Sequence, residues 1–170
     1  MMDNLQKLLA SVRDGDMTAF EALYETMKKP LFTTILRITR DVAMSEDIMQ
    51  DMFLKIYLSP PEPVSNPRVY LCRMAHNLAI DGIRKQKQTS GLEDADSLPD
   101  HFADNLSQKI DIEEALLSLS ERDSRIVTLH INGELKFREI ASIMKIPLGT
   151  VLWAYQKAIK QLQSILGGAL

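Results

Sequence analysis

The 170-residue sequence is 45% hydrophobic and 25% charged, the composition of a globular protein with one or two domains, and its net charge of −3 argues weakly against a nucleic-acid partner. It contains no apolar run long enough to cross a bilayer, no signal-peptide core and only one cysteine, Cys72, so an intrachain disulfide is excluded. We therefore expect a cytoplasmic protein that is not inserted into a membrane.

The first predicted helices follow from hydrophobic periodicity. Apolar residues recur every three or four positions, as one buried helical face requires, at Phe20, Leu23, Met27, Leu31, Ile35 and Ile38. Pro30 falls inside this run, so we expect a kink or a break there. Asp41 can cap a second helix, whose apolar residues are Ile48, Met52, Phe53 and Ile56.

A proline-rich loop separates the second helix from a third. Residues 59–67, SPPEPVSNP, contain four prolines in nine residues, which is incompatible with a helix or a central strand. Asn66 and Pro67 then provide the cap and the first turn of a helix that extends to about Lys87. Its inner face carries Leu71, Met74, Ala75 and Leu78.

A second face of this helix is polar and cationic. It carries Arg73, Asn77, Arg84 and Lys87, with His76 and Lys85 close by. Such a face suits phosphates and base edges, and the alternative interpretation is a solvated helix face. The adjoining loop and Tyr70 offer a pocket and a flat side chain for an unstacked base.

An acidic segment follows the third helix. Residues 88–105 lack periodicity and are rich in Ser, Asp, Gly and Pro. Residues 91–114 contain one basic and eight acidic residues, whereas the segments on either side have a small excess of basic residues. The sequence therefore predicts a domain over residues 1–88, a flexible acidic linker over 89–110 and a second domain over 111–170.

The second domain has the pattern of a helix-turn-helix. SERD, residues 120–123, is a capping-box-like start for a helix that Asn132 and Gly133 end. The apolar spacing of two further helices fits a helix-turn-helix core of Ile140, Ala141, Met144, Ile146 and Val151. Lys145 occupies a turn position that requires a positive φ, which glycine adopts most easily, so a lysine there costs roughly 1 kcal/mol. The predicted class is all-α, and the pattern alone also fits a helix pair that does not bind DNA.

Three segments together resemble an extracytoplasmic-function (ECF) sigma factor of bacterial RNA polymerase, over almost the whole chain. They are SEDIMQDMFLKIY (45–57), NPRVYLCRMAHNLAIDGIRKQKQ (66–88) and ALLSLSERDSRIVTLHINGELKFREIASIMKIPLGTV (115–151). The resemblance implies two small helical domains, like sigma regions 2 and 4. It also implies an alternative sigma factor that binds core polymerase, recognises the −35 and −10 promoter elements and assists melting.

The resemblance also implies roles for individual residues. The residues implied to dock on the β′ clamp helices of the polymerase are Asp47, Gln50, Asp51 and Phe53. For Asp47 and Asp51, the alternative interpretation is a solvated acidic edge of the helix. Contacts with the −10 element fall to Ser65, Asn66, Arg68, Arg73, His76, Asn77, Arg84 and Lys85. Contacts with the −35 element fall to Arg138, Thr150, Leu152, Trp153, Gln156, Lys157 and Lys160. The implied partners are core RNA polymerase, through its β′ clamp helices and β flap, promoter DNA and an anti-sigma factor.

The sequence departs from the family in its recognition helix. After Val151 the family usually has a basic residue, a serine and an arginine, but this chain has Leu152, Trp153 and Ala154; likewise Lys136 replaces the usual capping serine. Spacing places Val151, Tyr155, Ala158 and Leu162 toward the core and leaves Leu152, Trp153, Gln156, Lys157 and Lys160 outward. We expect this surface to bind DNA, although it carries less positive charge than the recognition helices of related proteins. The expected contacts are between lysines and phosphates and between apolar side chains and thymine methyl groups. For Trp153, a partner-protein contact and internal packing are the alternatives.

No motif predicts an enzyme or a cofactor. The sequence has no phosphate-binding glycine loop and no Ser/His/Asp grouping in a catalytic context. Cys72 and His76 lie four residues apart, but two ligands are too few for zinc, and a buried thiol is the expected role of the cysteine. Two rival functions stay open: a sigma-like decoy that binds an anti-sigma factor, and a stand-alone helix-turn-helix regulator.

Overall fold

A computed structural model describes residues 2–90 and 114–167, which form two compact units. The first unit contains α1 (Met2–Arg13), α2 (Met17–Thr39), α3 (Val42–Leu58) and α4 (Pro67–Ser90). The second contains α5 (Glu121–Ile131), α6 (Phe137–Met144) and α7 (Leu148–Ile165), preceded by a helical turn at 114–117. Within these two ranges no residue is in a strand, so the all-α prediction is confirmed.

Helix α2 is the centre of the first unit and packs against α1, α3 and α4. Its buried side chains include Leu23, Met27, Leu31 and Ile35, which are in the predicted periodic set. Of the kink or break predicted at Pro30, the break is wrong, because α2 is continuous through that residue. The proline removes one backbone donor, but buried residues on both sides of it hold the helix against its neighbours.

Helix starts in the first unit agree with the predicted caps. Asp41 Oδ1 accepts a hydrogen bond from Met44 N at 3.0 Å, and Asn66 Oδ1 accepts one from Val69 N at 3.2 Å. Helix α4 continues to Ser90, three residues beyond the predicted end. Residues 89–90 of the predicted linker are therefore helical, and 91–110 lie outside the described residues.

Helix α5 of the second unit also begins as predicted, since Ser120 Oγ accepts a hydrogen bond from Asp123 N at 3.2 Å. At the end of α5, a Cβ atom on Gly133 would lie 2.5 Å from the carbonyl oxygen of Leu129, so glycine is required there by close approach. The left-handed conformation falls one residue later, on Glu134, with φ of 55°.

The helix-turn-helix core has the predicted composition. Ile140 and Val151 are fully buried, and Ala141, Met144 and Ile146 are partly buried around them. Ile143 is a further buried residue that the pattern analysis missed. Lys145 adopts the left-handed conformation expected at the turn, with φ of 55° and ψ of 44°.

None of the helices in the described ranges is both long and apolar enough to cross a membrane.

Candidate nucleic-acid and protein interfaces

One candidate protein interface lies on α3. Asp47, Gln50 and Asp51 are exposed, as a docking role requires. Phe53 is only 4% exposed, and its ring packs edge-on against Phe20 and Tyr24, at centroid distances of 6.1 Å and 4.8 Å. The structure therefore places three of the four predicted docking residues on the surface and the fourth beneath it.

A groove between α2 and α3 extends this interface. Its volume is about 1020 Å³, Phe53 lies in its lining, and its exposed apolar residues are Met17, Tyr24, Leu54 and Tyr57. Lys28 borders it and donates to Glu25 at 2.8 Å, and this hydrogen bond raises the pKa of the lysine above 10.5. Exposed aromatic and aliphatic side chains clustered around a concave surface mark an interaction site. Sequence reasoning missed the groove, although Tyr24, Leu54 and Tyr57 are apolar residues that do not follow the helical spacing of the buried residues.

The first candidate DNA interface is the outer face of α4. Arg73, Asn77, Arg84 and Lys85 are exposed, and Arg84 lies 3.5 Å from Asp81 in a pair that is more than half exposed on both sides. The opposite face is fully buried at Leu71, Cys72, Ala75 and Ala79, which confirms the buried thiol.

His76 differs from the other predicted −10 residues because it is only 8% exposed. Its Nδ1 lies 3.5 Å from Oδ1 of Asn77, the neighbouring exposed amide. The structure therefore places His76 behind the polar face of α4, where it contacts a predicted DNA-binding residue.

The loop before α4 carries the remaining predicted −10 residues. Ser65 is exposed, whereas Asn66 and Arg68 are partly buried and the Asn66 side chain caps α4. Gln6 of α1 donates from Nε2 to the backbone oxygen of Ser65 at 3.1 Å. This contact ties the loop to α1, across 59 residues of sequence, and no local pattern could have indicated it.

The second candidate DNA interface is the outer face of α7. Leu152, Trp153, Gln156, Lys157 and Lys160 are all exposed, as their spacing predicted, while Thr150 is partly buried and Arg138 is exposed on α6. Trp153 is 58% exposed, so internal packing is not its main role.

Lys136 is the N-cap of α6, at the position where the resemblance predicts serine. Its ammonium group cannot accept a hydrogen bond from the first turn, so that half of a capping box is lost. The other half is present, because Glu139 Oε2 accepts a hydrogen bond from Lys136 N at 2.7 Å. The helix start thus keeps one of its two capping bonds.

Lys157 has partners within its own domain. Its Nζ lies 3.5 Å from Oδ2 of Asp123, a buried carboxylate of α5, and 5.4 Å from the centroid of the Trp153 ring. Sequence reasoning missed Asp123; its position in SERD indicated a capping role but not burial. In the two described ranges, no three His, Cys, Asp or Glu side chains come together as a metal site would require.

Comparison with protein families matches both units. Residues 23–89 match the model described as Sigma-70 region 2, and residues 109–162 match Sigma-70, region 4. Together these matches span most of the chain and correspond to the four-helix unit and the helix-turn-helix unit. The fold and the matches define a transcription initiation factor built from two sigma-70 regions, a class that is not catalytic.

Curated relatives narrow the assignment. The chain is 26% identical over 176 residues to the ECF RNA polymerase sigma factor SigK of Mycobacterium sp. (strain JLS), covering 96% of this chain and 91% of the relative. It is 29% identical over 165 residues to SigW of Bacillus subtilis (strain 168), covering 86% and 88%. The chain belongs to the ECF sigma factors of the sigma-70 family, which confirms the resemblance found in the sequence.

Solved structures support the same fold. The sigma factor RpoE of Bartonella quintana, in complex with the anti-sigma factor NepR, matches with a TM-score of 0.63 at 21% identity, covering 82% of this chain and 91% of that one. CnrH, in complex with the cytosolic domain of CnrY, matches with a TM-score of 0.64 at 16% identity, covering 98% and 99%.

Proposed function

We propose that this chain is an alternative sigma factor that binds core RNA polymerase, recognises −10 and −35 promoter elements and assists melting. The observation that carries the proposal is the two-sided character of α4. One face is closed against α2 and α3, and the other presents Arg73, Asn77, Arg84 and Lys85 to solvent. A row of cations beside an amide can hold a phosphate backbone and contact base edges.

The −10 contacts divide between α4 and the loop before it. Arg84 pairs with Asp81 on the surface, where such a pair is worth about 0–1 kcal/mol, so a phosphate can displace the carboxylate at little cost. Ser65, on the loop held by Gln6, lies just before the N-terminus of α4, where a flipped base would be captured. His76 acts from behind this face by restraining Asn77.

Docking on the polymerase is assigned to α3 and the adjoining groove. Asp47, Gln50 and Asp51 supply a polar and acidic rim, and Leu54 and Tyr57 supply apolar area that is exposed in the free chain. An apolar centre with a charged rim is the usual arrangement of a protein–protein interface. The β′ clamp helices are the proposed occupant, and the β flap is the proposed contact of the second unit.

Recognition of the −35 element is assigned to α7. Its outer face combines Leu152 and Trp153 with Gln156, Lys157 and Lys160. Lys160 contributes affinity through a phosphate contact, and apolar side chains contribute through thymine methyl groups in the major groove. Arg138 of α6 and Thr150 of α7 are assigned to the same role.

A run-off transcription assay with core polymerase and genomic DNA fragments tests the proposal. We expect the wild-type chain to direct initiation from specific fragments. Arg84→Ala should reduce initiation, whereas Arg13→Ala, the same charge loss at an exposed position on α1, should not. Anti-sigma binding without any transcript would support the decoy function instead, and sequence-specific duplex binding without polymerase would support a stand-alone regulator.

An anti-sigma partner is also proposed. In one solved structure with this fold the sigma factor RpoE is bound to the anti-sigma factor NepR, and in another CnrH is bound to the cytosolic domain of CnrY. In this chain the charged face of α4 and the exposed apolar pair Leu152 and Trp153 are the surfaces that such a partner would cover. Covering them would block both proposed DNA interfaces at once.

A further inference from the structure

The ammonium group of Lys157 joins a buried carboxylate to an exposed indole ring. Its Nζ lies 3.5 Å from Oδ2 of Asp123, whose side chain is 1% exposed, and 5.4 Å from the ring centroid of Trp153. The lysine side chain itself is 50% exposed. One cation thus contacts both the interior of the second unit and its proposed DNA-binding face.

Asp123 is fixed in place by other bonds. Its backbone N donates to Ser120 Oγ at 3.2 Å, and its Oδ1 lies 3.3 Å from Nε of Arg122. A carboxylate removed from water is strongly unfavourable unless cations or donors compensate it. If Lys157 turned outward to a phosphate, Asp123 would lose one of these two cationic partners, so the ammonium group is retained beside the carboxylate.

The retained ammonium group restricts the indole. Trp153 and Lys157 are four residues apart on α7 and therefore share a helix face. A cation above the ring favours the side-chain rotamer that keeps the ring beneath it, and a side chain fixed before binding loses less entropy when it binds. We propose that Asp123 and Lys157 are positioning residues that hold Trp153 in place to contact the −35 element. This inference rests on the DNA-reading role proposed for α7.

Spectroscopy tests the positioning directly, because Trp153 is the only tryptophan in the chain. We expect Lys157→Met to weaken the long-wavelength tryptophan band of the near-ultraviolet circular dichroism spectrum, and Lys157→Arg to keep it. Lys160→Met, the same charge loss at an exposed position on α7, should leave the band unchanged. Far-ultraviolet melting curves identify variants that fail to fold. An unchanged band in folded Lys157→Met would overturn the proposal.

A double-mutant cycle tests the functional consequence. In −35-dependent run-off transcription, Trp153→Ala should reduce initiation about fivefold or more, the loss expected for a base contact. Lys157→Met should also reduce it, but the double variant should be no worse than Trp153→Ala. Multiplied single effects would show that Lys157 contacts DNA independently and would overturn the proposal.

The two tests separate this proposal from the one on which it rests. Full −35-dependent transcription by Trp153→Ala would refute the role of α7 in reading DNA. The spectroscopic test contains no DNA, so its result identifies a failure of the Lys157–Trp153 contact independently of any DNA-binding role.

Discussion

Replacing Phe53 with alanine distinguishes a role in folding from a role in docking. Phe53 lies on the helix proposed to contact the polymerase, but its side chain is 4% exposed and packs edge-on against Phe20 and Tyr24. Leu54, the next residue, lines the same groove and is 55% exposed. Phe53→Ala therefore removes an apolar group from the interior of the interface, and Leu54→Ala removes one from its surface.

The expected losses differ in size. Truncating a buried phenylalanine costs about 3–5 kcal/mol, of which each edge-on ring pair contributes about 0.5–1.5 kcal/mol. The groove beside Phe53 lets neighbouring side chains relax, so we expect the lower end, about 3 kcal/mol. Leu54→Ala should change the free energy of unfolding by less than about 0.5 kcal/mol, since surface substitutions rarely do more.

Thermal unfolding of the whole chain checks the two expected changes in stability, and a core-polymerase binding assay checks the docking role. We expect Phe53→Ala to lower the Tm of the first unit by about 12 °C or more. Leu54→Ala should keep the wild-type Tm and weaken core binding. If Phe53→Ala melted like the wild type but lost core binding, the ring would contact the polymerase directly, and the assignment of Phe53 to the interior of the groove would be wrong.

Three further predictions concern charge, backbone strain and pH. Reversing Asp47 and Asp51 together to lysine should weaken core binding without changing the Tm, because both are exposed; equal affinity in a pull-down titration would contradict their docking role. Lys145→Gly should stabilise the second unit by about 0.5–1 kcal/mol, since φ is 55° there, and a lower Tm would disprove the strain argument. Hydrogen bonds from the Thr18 hydroxyl and the Ala19 amide lower the pKa of Asp16 below its ordinary value of 3.8. The contribution of Asp16 to the free energy of unfolding is therefore present above pH 3.8 and is lost as the pH falls through the lowered pKa. Asp16→Asn keeps a cap acceptor that does not titrate, and should flatten the stability–pH curve in that acid range; an unchanged curve would show that other groups dominate it.

Local features of the sequence were sufficient to predict most helices and their inward faces. Caps at Asp41, Asn66 and Ser120 act within three residues of their own position, so short windows contain the information. The outward set on α7 followed from helical spacing alone. Pro30 shows the limit of this reasoning, because its local effect is outweighed by the contacts of α2 with three other helices.

The surroundings of the site residues depended on tertiary structure. Periodicity predicts that a residue faces inward or outward, but it does not identify the neighbour that it meets. The groove exists only where α2 and α3 pack together, Phe53 is covered by residues of α2, and Lys157 meets a carboxylate 34 positions away. The sequence alone determined which side chains α7 exposes; packing against α5 decided that one of its lysines has a buried partner, because ion pairs between distant segments form only when the folded chain brings them together.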